Sequence, residues 1–419
     1  MQSGTQPMRI FFLMYDALPP FRSDVKVLFG QELPKLGVLS DVAGQAGGGL
    51  DATGSWGGGV MHVTGPLRKG LVGELVRPFQ DLLAMRRLES EHQVIQVRDK
   101  IRTGLLAWIV ARLTGRRFVY WMSFPFAEGH AVRARDVGFT KGPIVWIANW
   151  ARAQLAQQVF YRFLIKRVDH LFVQSDEMCR EMREHGVPAA RMTAVPMGVN
   201  SEWFDRDRAA MAGDVPEPLR GRRVLAYVGT LARSRRPEFL VQVLERVREV
   251  EPGAFLLLIG DAPNSDERAW LREMIASSSS ASSIHLTGWV DQDTAQRWLA
   301  HAELGYSPFP RGPLLDSASP TKAIEYLAQG IPCVANDNPD QQLVLTQSGG
   351  GFCVPMEVEA FAHASMRLLS DPPMATKMGS AGKAWVQQHR DYSVLARQVA
   401  SVYERLCPSA GPPQQEQMR

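Results

Sequence analysis

The stretch 224–247, VLAYVGTLARSRRPEFLVQVLERV, is one complete repeat of an α/β fold. Residues 224–228 form a short apolar run that reads as a buried strand, and Gly229 ends it. Beyond a polar loop, Leu240, Val243, Leu244 and Val247 recur at i, i+3, i+4 and i+7, so the next helix has one apolar face to lay on the sheet. A strand that turns through glycine into such a helix is the building block of a parallel sheet. The alternation extends both ways. Strands are expected at 10–14, 60–64, 94–97, 118–122 and 171–174 in the first half, and at 224–228, 255–259, 284–286, 304–307 and 333–336 in the second. Residues 205–223, rich in Arg, Pro, Gly and acids and lacking an apolar period, read as a linker. The fold class is therefore α/β, with two doubly wound Rossmann-like domains whose ligands bind beyond the carboxyl ends of the strands.

The length of 419 residues suits two domains, and 45% hydrophobic with 21% charged residues is globular usage. Cys179, Cys333, Cys353 and Cys407 lack metal-ligand spacing and fit the free thiols of a reducing, cytoplasmic compartment. Neither an export leader nor an uninterrupted apolar span is present, so a soluble chain is expected. A net charge of +4 gives no argument for nucleic acid, but the charge is uneven. Between 101 and 169, eleven basic residues face only Glu128, Asp136 and Asp169.

The most informative motif is 317–332, SASPTKAIEYLAQGIP. Ser319 reads as an N-cap with Pro320 at the first helical position, and Gly330 and Pro332 stop the helix. Such a start, after a strand and loop, offers the amides of Thr321 and Lys322 and the Lys322 charge to an anion, with Glu325 placed to accept from ribose hydroxyls. Alternatively, Lys322 and Glu325 are an ordinary i, i+3 pair on a surface helix. Against that stands a second signal: Arg233, Arg235 and Arg236 follow Gly229 at a strand end, where guanidiniums suit bidentate phosphate binding. A diphosphate beside a ribose describes a nucleotide sugar.

At these residues the chain resembles the retaining glycosyltransferases of family 4, which have the GT-B fold. Residues 173–178 (VQSDEM) and 195–200 (VPMGVN) look like the end of the family's N-domain, and 228–332 like its donor domain. The resemblance implies that Arg235 contacts the diphosphate, that Glu325 holds the ribose, and that the backbone at Ser319, Pro320 and Thr321 meets the donor. It places Gly288 and Trp289 at the nucleotide base. It also implies a domain at 8–204, a linker at 205–223, a nucleotide-sugar domain at 224–390 and a final helix at 391–407 that returns to the N-domain. Residues 408–419 read as a disordered tail. Two positions depart from the family pattern. Where its first motif glutamate belongs stands Ser317 beside Asp316, so Asp316 becomes the candidate for the donor sugar's hydroxyls. Where its N-domain histidine belongs stands Ser123, with His130 the nearest acid or base.

The implied function is retaining transfer from a nucleotide diphosphate sugar to a glycan or lipid-linked acceptor in cell-surface polysaccharide assembly. Arg235, Lys322, Ser123 and His130 are the catalytic candidates. No cofactor or metal is expected, because the cations and helix amides would neutralise the leaving group. Two other readings stay open: an epimerase of related fold, for which Glu128 and Asp99 are the visible acid and base, and a catalytically silent nucleotide-sugar-binding subunit. Finally, residues 144–168 carry Trp146, Ile147, Trp150, Leu155, Val159 and Phe163 with Arg152, Arg162, Lys166 and Arg167. Such a helix suits peripheral contact with an anionic membrane, or else packs on the sheet with its charges in solvent.

Overall fold

The structure, a computed structural model, describes residues 7–47, 56–67, 70–125, 128–129, 142–200, 202 and 208–408. His130 and residues 409–419 lie outside them. The chain forms two compact units, Met1–Pro196 with Tyr392–Arg419, and Met197–Asp391.

The first unit is built on a seven-stranded sheet: β1 Met8–Leu13, β2 Val38–Ala46, β3 Met61–Pro66, β4 His92–Arg98, β5 Arg117–Met122, β6 His170–Val173 and β7 Met192–Ala194. Its order is β3-β2-β1-β4-β5-β6-β7, parallel throughout. The winding reverses between β1 and β4, which opens a crevice at their carboxyl ends. Sequence reading misses β2, because Asp41, Gly44 and Gln45 interrupt its apolar run. Asp41 is nevertheless buried, since it accepts from His92 (2.9 Å) and the Val60 amide (2.7 Å) and pairs with Arg9 (3.0 Å). The final helix, Tyr392–Leu406, buries Leu395, Val399, Val402 and Tyr403 in one cluster with Ile10, Phe12 and Val94 of this unit.

The second unit carries β8 Arg223–Val228, β9 Ala254–Ile259, β10 Ile284–Leu286, β11 Leu304–Ser307, β12 Cys333–Asn336 and β13 Gly351–Val354, in the parallel order β10-β9-β8-β11-β12-β13. Two parallel doubly wound sheets confirm the fold class. The switch point here lies between β8 and β11. In the helix Pro237–Arg248, Leu240, Val243, Leu244 and Val247 are all buried against the sheet, as their spacing requires. Residues 208–223 belong to this unit rather than to a separate linker: Leu219 is buried in its core, and Arg208 Nε donates to the Ala300 carbonyl at 2.9 Å.

Candidate functional site

At the end of β8 the backbone of Gly229 turns at φ +136°, a conformation that favours glycine. A Cβ there would also come within 3.0 Å of Lys322 Cε. The missing side chain thus lets Lys322 cross the strand end, with its ammonium 5.2 Å from the centre of the Tyr227 ring. Lys322 sits in the first turn of the helix Thr321–Ala328, where the amides have no intrahelical acceptor.

Gly305 and Tyr326 explain why the two strands part at this point. Ladder pairing between β11 and β8 is recorded at Leu304 and Gly305. Beyond it, the buried Tyr326 hydroxyl accepts from the Val228 amide (3.0 Å) and donates to the Tyr306 carbonyl (3.0 Å). A phenol replaces the next rung and splays the strand ends. Its ring lies on Gly305, where any Cβ would overlap it. The sequence signal was an isolated glycine inside a strand, which marks a close approach. Tyr326→Phe should orphan two backbone groups and cost about 1–3 kcal/mol in chemical denaturation.

The three arginines after Gly229 separate. The Arg233 guanidinium lies 4.5 Å from the Trp270 ring and the Arg233 amide donates to Glu267 at 2.9 Å, so this residue, expected at the donor, is held against the helix Ser265–Ala276. Arg236 is the left-handed residue that starts the next helix and approaches Glu238 at 3.7 Å. Arg235 alone is directed to the loop after β11, 5.2 Å over Phe309, and has no carboxylate partner among the described residues. A half-buried guanidinium facing an aromatic and no acid is available to an anion.

Glu325 is partly buried one turn into the same helix. Burial raises its carboxyl above the usual range, against the opposing pull of Lys322 and a hydrogen bond from Thr321. An incoming pair of hydroxyls would complete the solvation of that carboxylate. At the ends of β9 and β10, Gly260 and Gly288 form an isolated bridge, and Trp289 stands 56% exposed beside them.

Two expectations in this region require correction. The helix begins at Thr321 with Pro320 as its N-cap, so Pro320 is not its first residue. Ser319 does not cap it either. Its hydroxyl accepts from the Met197 amide (3.0 Å) and donates to Asp340 (2.7 Å), which in turn pairs with the buried Arg390 at 2.6 Å. Asp316, the candidate for the donor sugar's hydroxyls, is engaged within its own loop: both its oxygens bind Arg311 (2.7 and 3.1 Å) and one accepts from the Gly312 amide. That arginine holds the Asp316 carboxyl below its usual range.

The first unit presents a second polar group at the carboxyl ends of β4 and β5. The Ser123 amide donates to Asp99 at 2.9 Å and the Ser123 hydroxyl donates to the other oxygen. Asp99 stands in the left-handed region at φ +56°, an uncommon conformation held here by Ser123 and by Arg98 at 3.5 Å. Arg98 is itself buried between Asp24 (2.6 Å), Asp16 (3.6 Å) and Asp99. Burial pushes the Asp99 carboxyl up to about 6, although Arg98 and Ser123 oppose it. The native state therefore binds more protons than the unfolded chain between the ordinary 3.8 and about 6. Stability should fall as pH rises through that window, and Asp99→Asn should flatten this slope in denaturation titrations. Glu128, the other acid considered, accepts from the Tyr161 hydroxyl.

The family model for glycosyl transferase 4-like domains matches residues 24–198, and that for glycosyl transferases group 1 matches 222–371. The chain is 25% identical over 260 residues to a glycogen synthase of Mycobacterium tuberculosis, a match spanning 61% of this chain but only 59% of that enzyme. It is 27% identical over 320 residues to the GDP-mannose-dependent alpha-(1-6)-phosphatidylinositol monomannoside mannosyltransferase of the same organism, covering 75% and 77% of the two chains. Among solved structures, sucrose-phosphate synthase from Thermosynechococcus elongatus shares the fold at TM-score 0.71 and 18% identity, over 95% of this chain and 99% of that one. Anabaena HepE in complex with UDP-glucose does so at TM-score 0.68 and 15% identity, over 95% and 100%. A glycosyltransferase family model thus matches on each of the two units, and the solved structures share the two-domain GT-B fold.

Proposed function

We propose that the protein is a retaining glycosyltransferase that moves a sugar from a nucleoside diphosphate donor to a glycan or lipid-linked acceptor in cell-surface polysaccharide assembly. The observation that carries this reading is the convergence of Arg235, Lys322 and the first-turn amides of Thr321–Ala328 on the β8/β11 switch point, with Glu325 one turn away. The cations and amides bind the diphosphate, Glu325 the ribose, and Trp289 with Gly288 the base. The bond from the anomeric carbon to the diphosphate oxygen breaks, and its electron pair leaves with the nucleoside diphosphate under Arg235 and Lys322. The acceptor hydroxyl oxygen bonds to the same face of the sugar and passes its proton to the departing diphosphate oxygen. No resident cofactor takes part.

On the acceptor side, Asp99 and Ser123 are the groups available to orient a hydroxyl. The acceptor named for the 27% identical mannosyltransferase, a phosphatidylinositol monomannoside, supports a lipid-linked substrate. Peripheral contact with the cytoplasmic face of an anionic membrane would bring such a substrate within reach. No helix among the described residues is long and apolar enough to span a bilayer.

Donor hydrolysis by the purified protein tests the reaction. Slow release of free sugar, first seen by NMR as the anomer present in the donor, is expected. An epimerised nucleotide sugar would indicate the epimerase reading, and no turnover with intact binding a silent subunit. Glu325 has its own check. The wild type should prefer a ribonucleoside diphosphate to its 2′-deoxy analogue, and Glu325→Ala should erase the preference. Equal affinity of the wild type for both would remove Glu325 from the site.

A further inference from the structure

Away from the strand ends, the first unit contains an open groove of about 490 Å³ lined by Leu105, Trp108, Ile109, Gln158, Val159 and Phe163. It lies between the helix Ile101–Thr114 and the helix Pro143–Gln158 with its continuation Val159–Leu164. That continuation settles how the basic helix packs. Phe160, Tyr161 and Leu164 are buried in the core, whereas Val159 and Phe163 are left to face the groove. Among the described residues the wall is apolar apart from one amide, Gln158, and no charged residue lines it. The exposed apolar surface continues outward on both helices. Leu113, 81% exposed, lies one turn beyond Ile109, and the exposed Leu155 one turn before Val159.

The surroundings are cationic. The Arg167 guanidinium lies 3.6 Å over the Phe163 ring and 5.7 Å from Trp108, and donates to the Phe163 carbonyl at 3.2 Å. Arg162 and Lys166 are exposed on the same segment. Arg112 donates to the Arg167 carbonyl at 3.5 Å and shares Asp169 with Arg117 (3.6 and 3.9 Å). A polar ligand in the groove would lose its water without finding partners, which argues for a hydrocarbon occupant. The cations beside it call for an anionic head. The two demands meet in one molecule.

We propose that this groove takes one acyl chain of an anionic phospholipid, with the headgroup phosphate among Arg162, Lys166 and Arg167. The site is separate from the donor site and serves as an anchor. The inference deepens the membrane contact proposed above and rests on it. In a bilayer, Leu113 and Leu155 would enter the interface beside the bound chain.

The test uses the full chain with phosphatidylglycerol vesicles whose acyl chains carry mid-chain bromines, reading tryptophan quenching and co-sedimentation together. Binding should be at least about tenfold stronger than to phosphatidylcholine vesicles and should weaken in high salt. Quenching should drop in Trp108→Phe, and Ile109→Glu should weaken binding about tenfold while its thermal midpoint stays within a few degrees of wild type. Should Ile109→Glu fold poorly, Leu113→Glu at the exposed mouth serves in its place. Quenching unchanged by Trp108→Phe, or binding unchanged in the glutamate variant, would overturn the acyl site while leaving the membrane contact standing. No binding to phosphatidylglycerol at low salt would overturn both.

Discussion

Alanine at Arg235 is expected to weaken nucleoside diphosphate binding by about 10- to 150-fold, and alanine at Lys322 by a similar factor. In the proposed donor site each replacement would remove a charge-assisted hydrogen bond to phosphate, a contribution of about 1.5–3 kcal/mol. Among the described residues neither side chain pairs with a carboxylate that holds the fold: Arg235 rests on Phe309, and Lys322 lies beside Gly229 and Tyr227 with Glu325 as its electrostatic neighbour. Both losses should therefore appear in titration calorimetry without a comparable fall in unfolding temperature. Arg233→Ala supplies the contrast. Its guanidinium is stacked on Trp270, so it should change affinity far less. A full-affinity Arg235→Ala would remove the diphosphate from this strand end.

The second large effect concerns stability. Arg390→Leu should destabilise the second unit by about 3–5 kcal/mol, because it leaves Asp340 buried without its cation. The pair does not stand alone. Ser319 bridges Asp340 to the Met197 amide, and the Arg390 carbonyl accepts from Val199, so the network ties the first and last segments of the unit to the loop before Thr321. Asp340→Ala should be comparably harmful, whereas the double variant Asp340→Leu/Arg390→Leu should recover part of the loss by removing both charges. Denaturant unfolding followed by tryptophan fluorescence measures all three.

Much of the fold was legible because buried parallel strands read as short apolar runs, and those of the second unit stand out between amphipathic helices. The strands that escaped did so for physical reasons. Asp41 and Gln45 make β2 look polar until Arg9 and His92 are seen to satisfy the carboxylate, while β7 spans only Met192–Ala194 and β13 opens on Gly351. At the candidate site, residue type pointed to the cations and helix amides but not to their partners. Nothing in the run of three arginines tells which one an aromatic from a distant helix or loop will claim, and Trp270 and Phe309 decide it. Likewise the pairing of Ser319 with Asp340 joins positions 21 residues apart, so the residue reads locally as a cap. Tyr326 lay within the quoted motif, yet its role depends on Gly305 making room across the sheet.

The central claim is that the second unit binds a nucleoside diphosphate sugar through Arg235, Lys322 and Glu325. A thermal-shift series against UDP, GDP and ADP and their sugars tests it most directly, since a ligand that binds only the folded state raises the unfolding temperature by mass action. At least one nucleoside diphosphate should raise the midpoint, and the rise should vanish in the Arg235→Ala/Lys322→Ala double variant. An unchanged midpoint with every nucleotide, or a rise as large in the double variant as in the wild type, would contradict the account.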